Sequence, residues 1–178
     1  MATVHPKASA FAATGWFSGL NSLAELEVRI SALQEEKQRG DAFEVFAGAW
    51  VALFYPQNVT SQQFWPFDAG LAARLNVDAL CHLGIDSILE IDGHLSAIQV
   101  KFRGGRKDLS WTELATFPGL SERADYRLVL SNGYATADTA KERDRTGFIG
   151  AETFDVLMPE DFELLAQWQW PGPPLARG

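Results

Sequence analysis

At 178 residues the chain is long enough for one domain with its own core, and 47% hydrophobic against 21% charged residues is a globular composition. The formal net charge of −8 excludes a protein that holds nucleic acid through an overall basic surface. A single cysteine, Cys81, excludes an internal disulfide, and no stretch is apolar enough to span a bilayer or reads as a signal peptide, so a reducing, cytoplasmic setting is expected.

Residues 1–20 are rich in alanine, include Pro6, and are expected to fray as a flexible N-terminal segment. Ser22-Leu23-Ala24-Glu25 reads as a capping box. Leu23, Leu26, Ile30 and Leu33 follow at helical spacing, which predicts a helix to about Arg39 that stops at Gly40. A second helix is expected from Asp41 to Tyr55. Phe43, Phe46, Ala47, Trp50, Leu53 and Phe54 form one stripe, and Val45, Ala49 and Ala52 make the other side apolar as well. From Ala42 to Tyr55 the only charged residue is Glu44. A helix apolar all round is buried, and a charge in it needs a partner or a metal; a helix-start glutamate facing solvent is the alternative from the helix alone.

Gln57 to Phe67 reads as loop or strand, and Leu71 to Leu83 as a short helix and a turn. A hairpin is then expected, with Asp92-Gly93 as its two-residue type I′ turn. That turn fixes the register. Ile91 faces His94, and Asp86 falls opposite Gln99. Directly opposed side chains share a face, and Lys101 lies two residues past Gln99. A carboxylate, a carboxamide and an ammonium are therefore expected on one face, with Ile88 and Ala97. Ile85, Leu89 and Ile91 are expected on the other face, with Ile98, Val100 and Phe102. The segment from Lys101 to Lys107 holds four of the fifteen Lys and Arg residues and predicts a locally basic patch.

Ser110-Trp111-Thr112-Glu113 is a second capping box, opening a short helix that ends at Pro118-Gly119. Tyr126 to Leu130 reads as a strand ended by the turn Ser131-Asn132-Gly133, and the charged run from Lys141 to Arg145 as a solvated loop or helix end. Phe154 to Leu157 is expected to be a last strand. Pro159-Glu160-Asp161 starts a helix that packs Phe162, Leu165 and Trp168 inward, and residues 171–178 read as a Pro-rich tail or linker.

The order Gly40-Asp41-Ala42-Phe43-Glu44, then Asp86, then Gln99-Val100-Lys101 resembles the PD-(D/E)XK nuclease superfamily, in its Mrr-like branch. The phrase from Ala97 to Arg103 is similar to the nuclease modules of helicase-containing restriction enzymes. The resemblance spans about residues 20 to 135, with Gln99 where the motif more often has an acid. It implies a restriction-endonuclease-like α/β fold over residues 21–170: a central mixed sheet flanked by helices. It also implies a Mg²⁺-dependent endodeoxyribonuclease, with Mn²⁺ able to substitute. Asp86, Glu44, Gln99 and Lys101 are the implied catalytic set. The implied metal ligands are Asp86, Glu44, the neutral amide oxygen of Gln99 and the Val100 carbonyl, all hard oxygens. Arg103, Arg106 and Lys107 are expected to meet DNA. Expected partners are DNA, a helicase or DNA-recognition subunit, and a second copy of the chain, with no membrane.

Each residue also has a bland reading. A strand aspartate near a turn is most often a surface or capping group, and Gln-x-Lys is usually a polar face. His5, His82 and His94 lack metal spacing, and no phosphate-binding Gly-x-x-x-x-Gly-Lys loop is present. The competing function is a nuclease fold that has lost activity and serves as a DNA-binding or protein-interaction module, which Gln99 and the acidic charge favour.

Overall fold

The computed structural model describes residues 3–55, 58–78, 84–141 and 146–170. Cys81, His82, most of the charged run after Lys141 and the Pro-rich tail at 171–178 lie outside the described residues. Helices α1 (Leu23–Ser31) and α2 (Glu36–Phe54) come first, followed by strand β1 (Val59–Phe64) and helix α3 (Ala69–Leu75). The hairpin follows as β2 (Ser87–Ile91) and β3 (His94–Lys101). Short helices α4 (Trp111–Leu114) and α5 (Thr116–Leu120) lead to β4 (Tyr126–Ser131). Helix α6 (Ala137–Lys141), β5 (Thr146–Ile149), α7 (Ala151–Phe154) and α8 (Pro159–Gln167) complete the order.

The five strands form one mixed sheet in sequence order. β1, β2 and β3 pair antiparallel, and β3, β4 and β5 pair parallel. Parallel pairing needs helical crossovers, which α4–α5 and α6 supply. Both faces of β3 are therefore covered. On one face Leu89, Ile98 and Leu130 pack against α1, α2, α7 and α8. On the other, Ile88, Ala97 and Val129 pack with Leu71, Leu114 and Phe117. The expected α/β architecture, a central mixed sheet flanked by helices, is present.

Several local expectations change. Residues 3–20 are packed rather than frayed: Phe11, Phe17 and Leu20 are buried in the larger core, and the Thr3 N–H donates to the Gln62 carbonyl beside β1. Burial of three large apolar side chains offsets the ordering entropy of that segment. The break between α1 and α2 falls at residues 32–35, not at Gly40, which lies inside α2. Arg39 Nε donates to the Leu33 carbonyl at 2.9 Å, tying the turn to the new helix. The cost of one helical glycine, about 1 kcal/mol, is small beside that of stopping α2 there. The Ser22 cap holds its half of the box, accepting from the Glu25 N–H, but Glu25 reaches back to the Asn21 N–H, one residue early. Phe154 belongs to α7 rather than to a last strand. Ala151 and Phe154, three residues apart, are both fully buried, which is helical spacing. The edge strand is β5, ahead of it.

Candidate active site

The Asp92-Gly93 turn sets the register as its residue types require. Both residues have positive φ, 50° and 83°, and Ile91 pairs with His94. Ile88 then meets Ala97 and Ser87 meets Ile98. One step further the ladder fails. The Asp86 N–H donates to the Ile98 carbonyl at 2.8 Å, one residue out of register. Its carboxylate Oδ2 accepts from the Val100 N–H at 2.6 Å, in place of a backbone acceptor.

This slip changes the faces. Ile85 joins Ile88 and Ala97 rather than Leu89 and Ile91. Asp86 lines a narrow crevice under α2, together with Glu44, His5, Ser87, Ile98 and Val100. Gln99 remains with strand alternation and pairs with Val129, so it belongs to the face of Ala97. It is 3% exposed, and its Oε1 has no hydrogen-bond partner among the described residues. Its amide nitrogen rests where a Cβ on Gly84 would lie, 2.8 Å away, and Gly84 has φ +92°. A side chain there would meet both strain and collision. The structure therefore brings Asp86 and Glu44 together, while Gln99 lines neither that crevice nor the cleft beside it.

Glu44 reaches the crevice because α2 packs its apolar sides on the sheet and α8, leaving this one carboxylate over the end of β3. Burial raises its pKa, the Asp86 charge raises it further, and Lys7 opposes both; the outcome is about 7. Lys7 was not foreseen. Its ammonium lies 2.5 Å from Glu44 Oε2 and 2.8 Å from Asp41 Oδ1. His5 anchors the segment that delivers it. The imidazole stacks near Phe64 and Trp170, with centroids 4.5 and 5.5 Å away, and its Nδ1 accepts from the Lys7 N–H. Burial holds that imidazole neutral, with a pKa pushed down to about 3. No local signal ties residue 7 to residue 44; only the packing of Phe11, Phe17 and Leu20 does so.

Beside the crevice a larger cleft of about 720 Å³ opens. One set of lining residues comes from the start of α2, including Lys37, Arg39, Asp41 and Glu44. The other comes from the end of β3 and the loop beyond, including Val100, Lys101, Arg103 and Lys107. Among the described residues the Lys101 side chain has no hydrogen-bond or ion-pair partner. Arg103 is paired with Glu113. Arg106, expected to face DNA, lies elsewhere. Its guanidinium grips Asp155 through two 2.7 Å bonds, and its Nε reaches Glu27 at 2.9 Å. These carboxylates hold its pKa well above the usual value.

Asn132 clamps this loop. Its Oδ1 accepts from the Arg103 N–H at 2.6 Å, and its Nδ2 donates to the Arg103 carbonyl and to Glu27, both at 2.8 Å. The expected turn at Ser131-Asn132-Gly133 thus also fixes the direction in which the chain leaves β3.

Among the described residues no group of three or more His, Cys, Asp or Glu side chains comes together as a metal cage. Mg²⁺ does not need one, since it is commonly held by one or two carboxylates, waters and substrate phosphates. The Glu44–Asp86 crevice, about 10 Å³, has room for about one water or small ion. Its donors are hard oxygens, and two crowded carboxylates gain from a cation. The residues present therefore fit a small divalent ion.

Comparison with protein-family models, curated proteins and solved structures returns no match. The site has to be read from its own chemistry.

Proposed function

We infer that the chain is a Mg²⁺-dependent nuclease that hydrolyses phosphodiester bonds in DNA, in the manner of the PD-(D/E)XK enzymes it resembles, and works within a larger restriction, defence or DNA-processing system. The observation that carries this reading is the meeting of Glu44 and Asp86, from a helix and a strand, at the mouth of a cleft holding Lys101. Burial, and after it the neighbouring charge of Asp86, raises the pKa of Glu44 and costs stability, and such perturbation concentrates at functional sites.

Asp86, Glu44 and the Val100 carbonyl would hold the ion. Bound Mg²⁺ supplies an activated water and neutralises phosphate charge. Asp86 is oriented for this by the Val100 N–H, which fixes one of its oxygens. Lys7 opposes the effect of burial and so favours the anionic form of Glu44. Lys101 offers its ammonium to a phosphate oxygen or orients the attacking water. The test is cleavage of supercoiled plasmid with Mg²⁺ and with excess EDTA. Nicking or linearisation in Mg²⁺ alone is expected, and its absence in Asp86→Asn. Equal cleavage in EDTA would end this reading.

A second reading is a DNA-binding module without catalysis. It is favoured by Lys7, which already neutralises Glu44, and by Gln99, which is buried and uncharged. Tight DNA binding with no cleavage in either Mg²⁺ or Mn²⁺ would select it.

A further inference from the structure

We propose that the cleft beside Glu44 and Lys101 is a groove for a single strand of DNA rather than for a duplex. The proposal rests on the nuclease reading and names the form of its substrate. Six cations line the cleft, Lys7, Lys37 and Arg39 on one side and Lys101, Arg103 and Lys107 from β3 and its loop, against three carboxylates, Glu36, Asp41 and Glu44. Lys7 and Lys37 are paired within this set and Arg103 with Glu113, so the lining keeps a positive excess. Lys37 and Arg39 lie about sixty residues before the last three, outside the basic run legible in the sequence. In a chain of charge −8, six of the fifteen Lys and Arg residues surround one opening.

Two aromatic residues, Trp65 and Phe102, line the same cleft. Phe102 is half-buried, its ring 5.8 Å from that of Phe43, and Trp65 follows β1 directly, also half-buried. Cations that follow a backbone, interleaved with aromatic faces, are how proteins hold single strands, because unpaired bases expose the faces that stack. A duplex keeps those faces inside its own stack.

Charge points the same way. A duplex carries one negative charge per about 1.7 Å of axis, and one strand half that density. The acidic remainder of this protein repels a duplex more strongly, while the positive excess of the cleft lining suffices for a few phosphates of one strand. The cleft's 720 Å³ is also the volume of a small-ligand pocket, suited to a nucleotide or two of one strand.

The experiment is fluorescence anisotropy with a labelled 12-nucleotide strand and with the blunt duplex of the same sequence, in Ca²⁺ to prevent turnover. The single strand is expected to bind at least 10-fold more tightly. Lys37 is 77% exposed and Lys107 is exposed, so the double variant Lys37→Glu/Lys107→Glu should keep its fold, checked by circular dichroism. It should lose at least 10-fold in single-strand affinity, and the slope of log K against log salt should fall by about 1.4, two phosphates' worth. Equal or tighter binding of the duplex would overturn this proposal and leave the nuclease reading standing. Wild-type single-strand affinity in the double variant would overturn the assignment of the groove. Failure of the wild type to bind either form would overturn both.

Discussion

The ammonium of Lys7 lies 2.5 Å from Oε2 of Glu44, and that carboxylate shares a crevice with Asp86. A segment that reads as a fraying terminus thus supplies a cation to the most strained carboxylate of the site. The stability of the fold and the ionisation of the site are thereby linked.

The pH dependence of stability tests this link. The folded pKa of Glu44, about 7, exceeds its unfolded value of 4.5. The folded state therefore holds the proton more tightly between these values, and stability falls as pH rises through that window. The size of the effect is on the order of 3 kcal/mol. Glu44→Gln removes it. The melting temperature of the variant relative to wild type should rise between pH 4.5 and pH 7.5. A difference that does not vary with pH would mean that Glu44 is neither buried under α2 nor crowded by Asp86.

Lys7→Met should push the Glu44 pKa still higher, since Lys7 is what lowers it. Carboxyl carbon shifts followed by NMR across pH 5–9 would measure this. A Glu44 midpoint unchanged by the substitution would remove Lys7 from the site.

Asp86→Asn and Asp86→Ala should differ in stability while both lose cleavage. Asparagine keeps an oxygen for the Val100 N–H; alanine leaves that donor without its 2.6 Å acceptor, at about 1–3 kcal/mol. Denaturant midpoints, read beside plasmid cleavage, separate the two roles. Wild-type cleavage by either variant would remove Asp86 from the catalytic site.

Gln99→Glu, which the motif alone expects to keep activity and to tighten metal binding, is expected here to destabilise. It would place a carboxylate at a position only 3% exposed, against Gly84. The melting temperature should fall at pH 8 and recover at pH 4, where the acid is neutral. Recovery at pH 8 on adding Mg²⁺ would instead make residue 99 a metal ligand and restore the arrangement expected from the motif.

Arg106→Ala should lower stability by about 1–3 kcal/mol through its lost bonds to Asp155 and Glu27. It should leave oligonucleotide affinity and its salt slope unchanged. A reduced slope would return Arg106 to the nucleic-acid surface.

What the sequence alone determined was local. Asp92-Gly93 set the hairpin register because only a turn with two positive φ values fits between those strands. The apolar run around Glu44 announced a buried helix with one charge to explain, and Pro159 with its acidic neighbours announced α8. These signals lie within a few residues of what they specify. The faces of Asp86 and Gln99 were decided by tertiary structure. Strict alternation places them together, but Asp86 leaves the ladder to bond Val100 and turns towards α2. Lys7, Lys37 and Arg39 joined the site, and Arg106 left it, for the same reason. Lys7 and Arg106 meet carboxylates that the packing of the terminal segment, α1 and α7 brings within reach. Lys37 and Arg39 instead bond locally, to Asp41 and the Leu33 carbonyl, and reach the cleft because α2 packs on β3.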